Sequence, residues 1–146
     1  MAATHNRKAP ANGAMSRHAA LVEALRSQLR VATGRPVTLI QTHISSVLLA
    51  GEHAYKLKKP VAFGFVDFST LAARQRCCEE ELRLNRRTAP HIYLDVARIT
   101  GTDDAPRIGG RGPAIEYAVR MRRFATRNLA DRRAARRRLQ IGRAHV

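Results

Sequence analysis

The sequence predicts an α+β fold: a five-stranded antiparallel sheet with a helix packed on it, preceded by an N-terminal helix. Three observations carry this. Leucines recur every fourth residue in 16–33. Short β-branched runs separated by turn residues follow, two helices bracket the first three of those runs, and two further runs close the order. A chain of 146 residues with 45% hydrophobic content suffices for one core.

The elements follow in order. Residues 1–15, rich in Ala, Pro, Asn and Gly, read as a disordered lead-in without the apolar core of a secretory signal. Residues 16–33 form one helix, with Ser16 as N-cap, Leu21, Leu25 and Leu29 as its stripe, and Gly34 and Pro36 as its stop. "VTLIQTHISSVLLAGEHAYKLKKPV" reads as strand, polar loop, strand, turn at Ala50-Gly51-Glu52, strand. "AFGFVDF" is an aromatic connection. Ser69 caps the next helix, which runs to about Thr88 before Pro90. On its helical wheel Leu71, Cys78 and Leu82 share the buried face, Glu80 points away, and Glu79 and Glu81 flank the face. "HIYLDVARITG" and "AIEYAVRMRRF" are the last two strands, joined by the turn-rich "TDDAPRIGGRGP".

The net charge of +16 points first to nucleic acid. Its distribution argues otherwise: Val37 to Met121 holds 12 Lys and Arg against 9 Asp and Glu, and the other 15 basic residues lie in the flanks. The vicinal Cys77 and Cys78 form neither a disulfide framework nor a zinc spacing, which fits a cytoplasmic protein. No apolar run approaches the roughly 18 residues of a membrane span. The six histidines show no metal-ligand spacing, Asp103 and Asp104 sit in a turn, and "GGRG" at 109–112 lies between strands, where no dinucleotide or phosphate loop belongs.

The candidate chemistry lies in "HAYKLKKPV", residues 53–61. Alternation puts Ala54, Lys56 and Lys58 on the face opposite Tyr55 and Leu57. Two readings are open on residues alone: a solvated strand end, or a lysine that holds phosphate. A third-strand lysine followed about 25 residues on by a helix glutamate is the arrangement with which kinases grip the α- and β-phosphates of ATP. "A-x-K" at 54–56 has the matching spacing, and helix geometry favours Glu81 over Glu80 as partner. A glycine-rich loop is missing between the first two strands. In its place "QTHISSV" offers the hydroxyls of Thr42, Ser45 and Ser46 and local N–H groups. The same loop also reads as an ordinary polar hairpin.

"THISSVLLAGEHAYKLKKPVAFGFVDFSTL", "CEEELRLNRRTAP", "IYLDVARITG" and "IEYAVRMRRF" together resemble the opening of a bacterial family of aminoglycoside-phosphotransferase-like proteins, many fused to a C-terminal P-loop kinase or ATPase domain. The resemblance spans about residues 36–124. It implies a protein-kinase-like N-lobe over 16–124, ATP as ligand, with magnesium in the complete enzyme, and a small-molecule phosphate acceptor of unknown identity. Lys56 and Glu81 take the ion-pair roles, Ala54 accompanies Lys56 on its face, and Met121 and the residues after it border the adenine. It does not imply an aminoglycoside substrate, because fold does not fix substrate.

The sequence departs from that family after Phe124: neither a histidine-containing catalytic loop nor an Asp-Phe-Gly-like segment follows, and G-x-x-x-x-G-K-[ST] occurs nowhere. Residues 125–140 read as the start of a missing C-lobe. "IGRAHV", 141–146, matches the translation of a string resembling a common short-read sequencing adapter and reads as a non-native tail. The expectation is a truncated fragment, not catalytically competent alone. The alternative is a small basic nucleic-acid-binding protein that uses the Arg-rich segment from Arg122 onward as a helix.

Overall fold

A computed structural model of the chain describes residues 2–123. Tyr55 and Leu57 do turn inward, and the strand that carries them organises the fold. This is β3 (His53–Lys58), which lies between β2 (Ser45–Ala50) and β8 (Glu116–Arg122). With β1 (Thr38–Gln41), β6 (Tyr93–Gly101) and β7 (Pro106–Ile108) they form an antiparallel sheet in the order β1-β2-β3-β8-β6-β7. The sheet has six strands instead of the expected five. The addition, β7, comes from the segment read as turns. It is a short edge strand opening on Pro106, a position where a missing N–H costs no ladder bond. It folds back because Gly101, at φ +91°, turns the chain onto Ala105.

The aromatic connection is itself a small ribbon, β4 (Ala62–Phe63) with β5 (Val66–Asp67), turning at Gly64 with φ +45°. Phe65 at its tip is fully exposed.

Helices cover both faces. The first, α1 (Ala2–Thr33), begins at Ala2, not Ser16, so the stretch read as a disordered lead-in is helical and Ser16 lies inside the helix. Alanines at 2, 3, 9, 11 and 14 favour that state, whereas Pro10 and Gly13 within the same stretch oppose it. The helix ends as expected, where Gly34 at φ +69° donates its N–H to the Arg30 carbonyl at 2.9 Å. Its stripe of Leu21, Val22, Leu25 and Leu29 packs with Leu48, Leu57, Ile99 and Ala118 of the sheet in one core. Fully burying each leucine or isoleucine contributes roughly 1.5–3 kcal/mol.

The second helix, α2 (Leu71–Asn85), covers the other face against β6 and β8. Its cap is Thr70, not Ser69. Asp67 accepts both the N–H and the hydroxyl of Ser69, so Thr70 is left to accept the Ala73 N–H at 3.1 Å. Its last residue is Asn85, three residues before the expected end. Cys78 is the fully buried residue of the helix, with Leu71 and Leu82 half-buried beside it. No helix among the described residues is long and apolar enough to cross a membrane.

Candidate functional site: an ion triad between β3 and α2

Alternation in β3 sends Tyr55 and Leu57 toward α1, so Ala54, Lys56 and Lys58 point toward α2. That face is covered rather than solvated. On α2, Glu81 follows the buried Cys78 by three residues and therefore lies on the sheet-facing side. Lys56 Nζ donates to Glu81 Oε2 at 3.1 Å, and Lys58 Nζ donates to Oε1 of the same carboxylate. Glu79 and Glu80 are spent within the helix, on Gln75 and Arg83. Asn85 donates to the Glu81 carbonyl.

The two lysines differ in setting. Lys58 is 3% exposed, with its ammonium 5.8 Å from the Phe68 ring centroid. The Lys56 side chain is 30% exposed. Burial pushes the Glu81 carboxyl up. The Lys58 hydrogen bond and the Lys56 charge outweigh it and hold the carboxyl below its ordinary value. Burial drives the neighbouring Cys78 thiol up to about 12, so it is neutral and leaves the charge balance to the triad. Two ammonium groups against one carboxylate leave one net positive charge beside β3.

The remaining predicted residues divide by strand parity. Ser45 pairs with Lys58, and Ala54 pairs with Met121, so Ser45, Ala54 and Met121 share the lysine face. Ser46 does not: one residue on, it points to α1, donating to Gln41 Oε1 at 2.8 Å and meeting His18 Nε2 at 3.0 Å. The Ser45 hydroxyl is buried and has no hydrogen-bond partner among the described residues. The loop before it is closed on itself, since the Thr42 hydroxyl accepts the N–H groups of Ile44 and Ser45. Those N–H groups are not presented to a ligand.

Lys58 is the site residue that the A-x-K spacing passed over; its signal was the two-residue alternation it shares with Lys56. His18 is another omission, legible as a member of the α1 stripe four residues before Val22. A separate cleft of ≈ 170 Å³ opens on the α1 side, where His18, Arg74 and Glu116 line it. Arg74 spans both Glu116 oxygens at 3.1 Å there. This cleft excludes the triad, and its central pair reads as a satisfied structural ion pair. Among the described residues no cluster of three or more His, Cys, Asp or Glu is arranged to hold a metal. The Arg-rich segment and the last six residues, within 125–146, lie outside the described residues, as does Phe124.

The chain is 40% identical over 84 residues to the uncharacterized protein Rv2004c of Mycobacterium tuberculosis and, equally, to the uncharacterized protein Mb2027c of Mycobacterium bovis. The match takes in 58% of this chain but 15% of each relative. The chain thus spans a small part of the curated relatives it matches. No family model and no solved structure matches it.

Proposed function

We propose that the chain is the nucleotide-phosphate-binding lobe of an ATP-dependent phosphotransferase, a kinase-like N-lobe of the aminoglycoside-phosphotransferase-like type. The observation that carries this reading is the 3.1 Å ion pair between Lys56 of the central strand and Glu81 of the helix laid over it. A strand lysine held by a helix carboxylate is the device with which kinase-like enzymes grip the α- and β-phosphates of ATP. The net positive charge of the triad supports an anionic ligand over a neutral one. In this reading Ala54 and Met121, cross-strand neighbours on the lysine face, lie on the adenine side of the site. The magnesium ligands, the catalytic base and the phosphate acceptor are not assigned to any residue of 2–123.

Calorimetric titration of the full chain with Mg-ATP tests this. Wild type should bind weakly but saturably. Lys56→Met should lose at least about tenfold in affinity, equivalent to about 1.4 kcal/mol. Absence of saturable binding by wild type, or unchanged affinity in Lys56→Met, overturns the proposal.

A further inference from the structure

We propose that Lys58 is the positioning residue of this site: it fixes the Glu81 carboxylate from the buried side, so that Lys56 alone is presented to phosphate. The inference rests on the nucleotide-phosphate reading above and gives a task to Lys58, which the A-x-K spacing passed over.

The geometry separates them. Each Glu81 oxygen has its own lysine, Oε2 for Lys56 and Oε1 for Lys58. The Lys58 ammonium lies between that carboxylate and the Phe68 ring, almost wholly out of solvent. A buried ammonium cannot give up its counter-ion without a penalty of several kcal/mol, so Lys58 stays with Glu81 whatever else binds. An incoming anion reaches Lys56, which is partly exposed.

Charge follows the same division. Lys58 neutralises the carboxylate, so Lys56 meets a weakened competitor and retains attraction for an anion. A single lysine on a single glutamate would be a neutral pair, with the ammonium fully engaged. Cys78, whose thiol burial keeps neutral, and the Phe68 ring bring no charge to it.

A residue that works through Glu81 differs measurably from one that touches phosphate. The test is a double-mutant cycle on the full chain, read as Mg-ATP affinity by calorimetry. Lys58→Met alone should weaken binding. In a Glu81→Gln background, adding Lys58→Met should change affinity by less than about twofold, because the group through which it acts is already gone. The double variant also removes the buried ammonium that Glu81→Gln leaves unpaired, so it keeps its fold if Glu81→Gln does not. A further loss of about tenfold in that background would make Lys58 a phosphate ligand and overturn the assignment.

The ¹³Cδ titration of Glu81 is the second readout. Its midpoint should rise more in Lys58→Met than in Lys56→Met, and Lys58→Arg should restore it. An equal or larger rise in Lys56→Met overturns the positioning role. If wild type binds no Mg-ATP, the phosphate reading falls, and the Glu81 titration still decides whether Lys58 holds the carboxylate.

Discussion

Lowering the pH from 7 to 5 should destabilise the fold through one buried imidazole. His18 is 5% exposed, in the layer between α1 and the sheet, with Nε2 3.0 Å from the Ser46 hydroxyl. Burial, with the nearby charges of Lys59 and Arg74, lowers its pKa from 6.5 to about 4. The folded value lies below the unfolded one, so the unfolded chain takes up the proton first. The stability is fully present above pH 6.5 and is lost as pH falls toward 4. Integrated over that window, the loss attributable to His18 is about 2 kcal/mol by pH 5 and about 3 kcal/mol by pH 4. Glu116 works in the opposite sense. Burial raises its pKa against the pull of Arg74, so its protonation favours the folded state as pH falls. Comparison with His18→Gln removes that contribution, since both proteins keep Glu116. The assay is urea unfolding of both at pH 7, 6 and 5. Wild type should lose about 2 kcal/mol more than His18→Gln between pH 7 and 5. Parallel loss in the two proteins would refute the reasoning and place a charged or solvated imidazole at position 18.

Three further perturbations test other parts of the fold. Glu81→Gln should cost about 3–5 kcal/mol in urea unfolding, because it leaves Lys58 buried without its counter-ion; adding Lys58→Met should recover much of that loss. Thr70→Ala should cost about 1 kcal/mol by removing the α2 cap, whereas Ser69→Ala should cost less; the reverse order would restore Ser69 as the cap. Gly101→Ala should lower the melting temperature, with a cost of order 1–3 kcal/mol, since φ is +91° and a Cβ there would lie 2.4 Å from the Ala105 carbonyl oxygen.

The sequence by itself determined the antiparallel β1-β2-β3 hairpins, the leucine stripe of α1, the burial of Cys78, and the facing of Lys56 toward Glu81. These are local periodicities: two residues per repeat in a strand and 3.6 in a helix decide which side chains share a face before any partner is known. The same alternation also separates Ser45 from Ser46, although the two were grouped as loop hydroxyls. Tertiary structure decided what periodicity cannot reach. Whether the lysine face was wet or covered depended on where α2 settled, since a strand fixes only the direction of its side chains. The edge strand β7 formed because Gly101 and its neighbours turned Pro106 to Ile108 against β6, a pairing invisible in a run of turn residues. The capping residue of α2 moved by one because Asp67 took Ser69 for itself. Above all, only the packed structure showed that the two lysines differ in burial. In sequence Lys56 and Lys58 share one face, and only the A-x-K spacing at 54–56 sets Lys56 apart. In the fold Lys58 lies beside Phe68 and α2, where loss of its counter-ion is expensive, and Lys56 lies at the margin, partly exposed.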